Sequence, residues 1–290
     1  MRQYEITFRS INSESYAKPI TALVYEPDGL SPATGAMLFT HGWGGNRFQH
    51  ADKMAHAVDL ADLVCVSVEY RMSGYDFDPV VGNGAYRPYD ASFLQVADVL
   101  NGLREVLRLY PSIDRSRIYH YGGSQGGHIA LLSTIYAPNS FGAVYAASPL
   151  THISAEILPW TGRDLSDSER AARDVALQAE RILCPVFLEH GTADETVACD
   201  PHTRALVARL VELGKTVEVR YHEGGGHGLE PVTTRIATFT ERVERFLQAA
   251  RPVERDDFAA ETVVRIPCAD RTLVVDWSKA SDDIELVRWE

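Results

Sequence analysis

Short apolar runs alternate with longer segments of helical periodicity between residues 20 and 250. The apolar and β-branched runs predict seven strands, at residues 20–25, 36–40, 63–69, 118–121, 142–147, 186–190 and 217–221. Several of these runs are apolar throughout, which is typical of parallel strands that are covered on both faces. The pattern therefore predicts an α/β fold with a mostly parallel, doubly wound sheet.

Helical periodicity fills the segments between these strands. The predicted helices span residues 48–60, 91–109, 125–136, 203–213 and 234–249. In the last of them, Ile236, Phe239, Val243, Phe246 and Leu247 recur at helical spacing and form one apolar stripe. We expect that stripe to pack against the core.

Three segments depart from the alternation. Residues 70–90 form a long loop rich in Gly, Pro and aromatic residues, and such a loop is usually functional or disordered. Residues 151–182 separate two predicted strands by about thirty residues, include a helical run at 167–181, and are a candidate cap. Short strand patterns after residue 250 predict a β appendage at 251–290, beside a main domain at 1–250. The favoured interpretation of the appendage is an extension of the sheet edge, and the alternative is a dimer contact or a pocket wall.

Composition limits the function classes. The 290 residues are 45% hydrophobic, enough for one large core, and carry a net charge of −12. Such a charge gives no general attraction to nucleic acid or to an anionic membrane. No apolar segment resembles a signal sequence or a membrane span, so we expect a soluble, cytoplasmic protein, with a homodimer possible. The four cysteines lie far apart, and for Cys65 and Cys184, which lie in apolar runs, buried thiols are favoured over a disulfide.

A candidate nucleophile lies where the fourth predicted strand meets a helix. The segment Gly122-Gly123-Ser124-Gln125-Gly126 has the G-x-S-x-G pattern of a nucleophile elbow. The serine of an elbow sits in a sharp, strained turn, so the residues two positions on either side must lack colliding side chains. Gly122 and Gly126 meet that requirement, which makes Ser124 the candidate nucleophile.

A serine nucleophile needs a general base and a carboxylate that orients it. Asp194 follows the sixth predicted strand by a few residues and is the candidate acid, with Glu195 as its rival. His227 lies in a glycine-rich loop after the seventh strand and is the candidate base, with His222 as the alternative. The spacing of these two histidines does not match the H-E-x-x-H zinc pattern, so no metal is expected.

Backbone N–H groups are the expected stabilisers of the negative oxygen in acyl transfer. One is expected from Gln125, directly after the nucleophile. The run His41-Gly42-Trp43-Gly44-Gly45 follows the second predicted strand, and the N–H of Trp43 is the candidate second donor. The glycines of this run lack the dinucleotide-binding spacing.

With Ser124, Asp194 and His227 in that order, and with the H-G-W-G-G and G-G-S-Q-G-G motifs, the chain resembles the α/β-hydrolase superfamily over residues 20–250. It is most similar to the branch of dienelactone hydrolase-like enzymes, acetyl xylan esterases and prolyl oligopeptidase-type catalytic domains. The resemblance implies an α/β-hydrolase fold, a two-step hydrolysis through an acyl-enzyme on Ser124, and no cofactor. In the peptidases of that branch a β-propeller precedes the catalytic domain, and we expect none here, because the 290 residues leave no room for it.

The sequence favours a carboxylic-ester hydrolase that acts on a small or medium-sized ester. The alternatives are a small serine peptidase or amidase and a non-catalytic binding protein on the same fold. The substrate is expected between the 70–90 loop and the cap. Candidate substrate contacts there are aromatic stacking or carboxylate pairing by Arg71, Tyr75, Phe77, Tyr86, Arg87, Tyr89 and Trp160.

Overall fold

A computed structural model describes residues 1–13, 19–74, 88–230, 235–253 and 255–290. Its main sheet contains β1 (Arg2–Phe8), β2 (Ile20–Glu26), β3 (Gly35–Thr40), β4 (Leu63–Glu69), β5 (Ile118–Gly123), β6 (Ala143–Ala147), β7 (Val186–Gly191) and β8 (Val217–His222). The strand order is β1-β2-β4-β3-β5-β6-β7-β8, in which β2 runs antiparallel to β1 and β4 and the others run parallel. The mostly parallel α/β sheet predicted from the sequence is confirmed.

All seven predicted strands are present, and β1 is an additional one. The sequence of β1, RQYEITF, carries polar residues at most of its outward positions and was not recognised as a strand. Only Phe8 at its end is fully buried. An edge strand with this polar pattern resists edge-to-edge pairing with another chain.

Helices cover both faces of the sheet. They are α1 (Ala51–Ala61), α2 (Phe93–Leu109), α3 (Gln125–Tyr136), α4 (Leu158–Thr161), α5 (Asp167–Ala171), α6 (Ala205–Glu212), α7 (Arg235–Ala249) and α8 (Asp257–Ala260). Side chains of α2, α3 and α6 pack in one hydrophobic core, and those of α1 and α7 pack in a second core on the opposite face. Phe239, Val243 and Phe246 of the predicted stripe on α7 are buried in the second core.

The cap does not contain the single helix expected at 167–181. Helix α5 begins at a capping box formed by Ser166 and Glu169 and ends after five residues. Arg173 then turns into the interior, where its guanidinium donates to the carbonyls of Ala91, Asp90 and Glu169 at 2.8–3.0 Å. Because these bonds tie the chain to neighbouring segments, the helical pattern breaks there.

The C-terminal residues form their own sheet, so the expected extension of the main sheet edge is wrong. Strands β9 (Val263–Cys268), β10 (Arg271–Asp276) and β11 (Val287–Trp289) pair antiparallel in the order β11-β10-β9. The sheet contacts the end of α3, where buried Trp277 donates from Nε1 to the carbonyl of Tyr136 at 2.9 Å. It also contacts the cap, where Ser168 Oγ donates to the carbonyl of Cys268 at 2.6 Å. A role of this appendage as a dimer contact stays a prediction.

The four cysteines are unpaired and buried, which confirms the prediction made for Cys65 and Cys184. Within the described ranges, no helix combines the length and the apolar character needed to cross a bilayer.

Candidate active site

The elbow between β5 and α3 holds Ser124 in a strained conformation. Its φ of 57° and ψ of −123° lie where residues with a side chain are rare. A Cβ on Gly122 would lie 2.1 Å from the carbonyl oxygen of Gly126, and a Cβ on Gly126 would lie 2.1 Å from that of Thr40. Both glycines are therefore required for the turn, for the steric reason that the sequence suggested.

Three side chains form a continuous hydrogen-bond chain at the carboxyl edge of the sheet. Ser124 Oγ lies 2.9 Å from His227 Nε2, and His227 Nδ1 lies 2.7 Å from Asp194 Oδ2. Because the carboxylate accepts the proton of Nδ1, Nε2 is left with a lone pair that accepts from the serine hydroxyl. The three residues predicted as nucleophile, base and acid are thus brought together in the geometry of a serine-hydrolase triad.

The Asp194 carboxylate is held from several sides. Its Oδ1 accepts from the backbone N–H groups of Thr196 and Val197, each at 2.9 Å. Burial alone would raise the pKa of Asp194, but hydrogen bonds from His190, His227 and Val197 lower it below its usual range. The carboxylate therefore stays charged and keeps its orientation toward His227.

The rival residues of the triad have other environments. His222 Nε2 lies 3.0 Å from Glu189 Oε2, and Glu195 is exposed to solvent. In the part of the chain that the structure covers, no group of three or more His, Cys, Asp or Glu side chains is arranged to hold a metal ion.

The expected oxyanion donors lie beside the nucleophile. A Cβ on Gly42 would lie 3.4 Å from Ser124 Cβ, so the loop that carries Trp43 passes next to the serine. Gln125 opens α3, and the first N–H groups of a helix have no intrahelical acceptor. Among the described hydrogen bonds, none uses the backbone N–H of Trp43 or of Gln125. Their role as an oxyanion hole stays a prediction that this placement supports.

An aromatic cluster lies over this loop. The ring of Trp43 stacks on Tyr89 with centroids 4.1 Å apart, and Trp160 meets Trp43 edge-on at 5.5 Å. Tyr89 also donates from its hydroxyl to Gln125 Oε1 at 3.1 Å. The cap residue Trp160 is 37% exposed and Trp43 is half-buried, whereas Tyr89 is 1% exposed, so Trp160 and Trp43 form the accessible part of the cluster. The other predicted contacts in this region, Tyr75, Phe77, Tyr86 and Arg87, lie outside the described residues.

Arg71 does not fit the role expected from the sequence. Its side chain is 1% exposed, and its Nε and Nη2 donate to the two carboxylate oxygens of Asp98 at 2.8 and 2.7 Å. Nη2 also donates to the carbonyl of Ile11 at 2.8 Å. The guanidinium is thus part of a buried ion pair inside the fold, which corrects the expectation that it pairs with a substrate carboxylate.

A cavity of about 270 Å³ opens beside Ser124 and His227. The walls come from the start of α1, the ends of β5, β6 and β7, the loop after His227, and α7. They are formed by Gln49, His50, Lys53, Tyr121, Gly123, Ser124, Tyr145, Ala147, Ser148, Glu189, His227, Gly228, Leu229, Thr238 and Phe239. Neither the C-terminal appendage nor the aromatic cluster contributes a described wall residue, so the cavity and the cluster are two separate surfaces next to the nucleophile.

His190 is a site residue that the sequence reasoning passed over. It is fully buried, and its Nε2 lies 3.1 Å from Asp194 Oδ2 and 2.9 Å from the carbonyl of Val197. Since both neighbours are acceptors, Nε2 carries a proton, and Nδ1 lies 2.6 Å from Thr203 Oγ1. His190 is therefore a donor that fixes the acid. Its position at the end of β7, four residues before Asp194, was the available signal.

Replacing His190 should weaken catalysis without removing it. One hydrogen bond to a charged group contributes about 1.5–3 kcal/mol, so His190→Leu should lower kcat by about 10- to 150-fold. His190→Gln can keep a donor near Nε2 and should recover part of that loss. Steady-state kinetics of both variants, with denaturant unfolding as a check on stability, would test this. Equal kcat in the Leu and Gln variants would contradict the positioning role.

Comparisons with known proteins identify the family and the fold of the chain. The family model of the prolyl oligopeptidase family matches residues 94–251. An acylaminoacyl peptidase structure in complex with Z-Gly-Gly-Phe-chloromethyl ketone is similar, with a TM-score of 0.70 at 20% identity over 87% of this chain and 42% of that chain.

Two further structures show the same fold. An acylaminoacyl peptidase of Pyrococcus horikoshii has a TM-score of 0.68 at 19% identity over 88% of this chain and 42% of that chain. A putative dipeptidyl aminopeptidase IV of Bacteroides ovatus has a TM-score of 0.67 at 16% identity over 86% of this chain and 36% of that chain. The chain therefore spans less than half the length of these proteins. Because the family model covers more than half of the chain and includes Ser124 and His227, the chain belongs to the prolyl oligopeptidase family.

Proposed function

We propose that this chain is a serine peptidase or amidase that works through an acyl-enzyme on Ser124. The observation that carries the proposal is the continuous chain of hydrogen bonds from Ser124 through His227 to Asp194. The family supports cleavage of peptide or amide bonds, which was the alternative to ester hydrolysis in the sequence analysis. Two of the similar structures are themselves acylaminoacyl peptidases.

The geometry supplies each proton transfer of such a reaction. His227 Nε2 takes the proton of Ser124 as Oγ bonds to the substrate carbonyl carbon, and it then gives this proton to the leaving nitrogen as the C–N bond breaks. Water attacks the acyl-enzyme with help from the same imidazole. Asp194 keeps its negative charge throughout and stabilises the imidazolium, in line with its lowered pKa.

The charge that develops on the carbonyl oxygen has donors next to it. We assign these donors to the N–H groups of Gln125 and Trp43, and loss of one such donor typically costs about 3 kcal/mol of transition-state stabilisation. The ring cluster of Trp43, Tyr89 and Trp160 contains one of these donor residues and contacts the side chain of the other, so we assign it to the acyl part of the substrate. An aromatic or other flat apolar acyl side chain would suit this surface.

Ester hydrolysis uses the same triad and is chemically less demanding, so esterase activity alone does not identify the function. The test compares p-nitrophenyl acetate with a set of peptide p-nitroanilides, using Ser124→Ala as the blank. Anilide turnover that the variant lacks would support a peptidase. Turnover of the ester alone would indicate an esterase. Absence of both activities would favour a non-catalytic protein on this fold.

A further inference from the structure

Three successive carbonyl groups at the end of β3 each lie within hydrogen-bond distance of a buried side chain. His50 Nε2 lies 3.1 Å from the carbonyl of Thr40, and the hydroxyl of Tyr70 donates to the carbonyl of His41 at 2.9 Å. His41 Nδ1 lies 2.9 Å from the carbonyl of Gly42. The three side chains are all buried. Because they come from β3, from the start of α1 and from the end of β4, they fix the path of the loop beside the nucleophile.

The imidazole of His41 is held in one form and one orientation. Its neighbour at Nδ1 is a carbonyl oxygen, so Nδ1 carries the proton and donates. Burial lowers the pKa of His41 to about 4, so the ring is neutral at physiological pH and Nε2 carries no proton. Nε2 lies 3.2 Å from Ser73 Oγ, and the ring stacks on Tyr70 with centroids 4.1 Å apart. These contacts keep the Nδ1–H group directed at Gly42.

The two peptide groups that follow His41 are held differently. The first is held at both ends, because the N–H of Gly42 also donates to Gln49 Oε1 at 3.0 Å. The second, between Gly42 and Trp43, is held at its carbonyl, which accepts from the N–H of Gly45 at 2.9 Å as well as from His41. Within the described ranges, no hydrogen bond uses the N–H of Trp43. This N–H is the donor that the loop leaves available.

Peptide planarity links the contact of His41 to the direction of that donor. In a trans peptide, the C=O and N–H groups lie in one plane and point in opposite directions. The carbonyl of Gly42 points to the His41 ring, so the N–H of Trp43 points away from it. Gly42 lies against the nucleophile, since a Cβ on it would be 3.4 Å from Ser124 Cβ. Rotation of this peptide would break the bond to His41 and move the donor.

We propose that His41 is a positioning residue, which holds the peptide between Gly42 and Trp43 so that the Trp43 N–H is in place for the oxyanion. The inference rests on the proposed function and adds the residue that fixes one of its two donors. When Ser124 Oγ bonds to the carbonyl carbon, the π pair of the C=O bond moves to oxygen, and the donor meets this charge without reorganisation. The pair returns when the C–N bond breaks. His41 gives up no proton in either step.

His41→Phe keeps an aromatic ring against Tyr70 but removes the Nδ1–H donor. Loss of a whole oxyanion donor lowers kcat by about 100- to 1,000-fold, and misdirection of one should cost part of this, about 10- to 100-fold. KM should stay unchanged, because the interaction is made in the transition state. His41→Asn can place an amide N–H near the position of Nδ1 and should recover part of the loss. Steady-state kinetics on p-nitrophenyl acetate and on peptide p-nitroanilides would measure both parameters.

His120→Phe is the matched control. His120 is also buried, on the neighbouring strand β5, and its Nε2 lies 3.2 Å from the hydroxyl of Thr40. This variant should keep kcat close to that of the wild type, with urea unfolding of both variants as a check on stability. An equal loss of kcat in His41→Phe and His120→Phe would overturn the proposal. If His41→Phe does not fold, His41→Asn should exceed His41→Leu in kcat, and equal values would overturn it.

A phenyl-substituted trifluoromethyl ketone separates failure of this inference from failure of the proposed function. Such a ketone forms a hemiketal with the nucleophilic serine, and the hemiketal oxyanion uses the same donors as the tetrahedral intermediate. Its dissociation constant should rise in His41→Phe by the factor by which kcat falls. If this rise is found but the wild type cleaves only the ester, the peptidase function fails and the role of His41 stands. Equal affinity in both proteins, or no hemiketal in the wild type, would overturn the inference.

Discussion

Ser124→Ala should lower the turnover of any substrate of this protein by roughly a thousandfold to a millionfold. The hydroxyl oxygen that forms the acyl-enzyme is removed, and a methyl group cannot replace it. His227→Ala should cause a loss of similar size, because Ser124 Oγ then has no acceptor for its proton. The double variant should lose little more than either single one, since triad members act as a unit. Single-turnover and steady-state rates would measure all three.

Two controls make this result specific. Ser281→Ala, in the C-terminal region, should keep wild-type turnover. His222→Ala should keep far more activity than His227→Ala, because His222 bonds to Glu189 and not to the serine. If His222→Ala abolished turnover and His227→Ala did not, the assignment of the base would be wrong.

The triad could be predicted because its signals are local in the sequence. The pattern of Gly122 and Gly126 around Ser124 lies within five residues, and a Cβ on either glycine would collide with backbone, in Gly126 and in Thr40 respectively. Asp194 and His227 follow apolar runs that are easily recognised as strands. The carboxyl ends of parallel strands meet at one edge of the sheet, so order along the chain was enough to bring the three side chains together.

Interactions between distant segments could not be predicted in this way. The pairing of Arg71 with Asp98 joins the end of β4 to α2, and nothing in the local pattern of the 70–90 loop indicates it. The buried atoms His50 Nδ1 and Ser148 Oγ, which have no hydrogen-bond partner in the described part of the protein, share a cavity because the start of α1 and the residue that follows β6 both line it. Their sequence neighbourhoods are those of ordinary buried residues.

The appendage shows a second limit of sequence patterns. The strand patterns around β9 and β10 correctly predicted strands, but a strand pattern does not specify its partner. The location of the appendage depends on tertiary contacts, such as the burial of Trp277 against α3. In the cap, the Arg173 guanidinium donates to three backbone carbonyls, two of which belong to residues 90 and 91. Helical periodicity in the sequence does not indicate such contacts with a distant segment.

Asp98→Ala should lower the free energy of unfolding by about 3–5 kcal/mol. Asp98 is fully buried and accepts three hydrogen bonds from Arg71, from its backbone N–H, Nε and Nη2, at 2.7–2.9 Å. Removing the carboxylate leaves a buried guanidinium without its counter-charge, which is far more costly than losing an exposed pair. Urea unfolding followed by circular dichroism would measure the loss, and Asp59→Ala on the exposed side of α1 should change the stability by less than about 0.5 kcal/mol.

The double variant Arg71→Leu, Asp98→Leu tests whether the loss arises from the uncompensated charge. Apolar side chains that replace both members of a buried ion pair are often tolerated, so this variant should be more stable than Asp98→Ala. It should also leave the ratio of rates on anionic and neutral esters unchanged, because the structure uses Arg71 inside the fold and not for substrate. If the double variant were no more stable than Asp98→Ala, the cost would come from lost packing. If it altered the selectivity between the two esters, Arg71 would regain the substrate-binding role expected from the sequence.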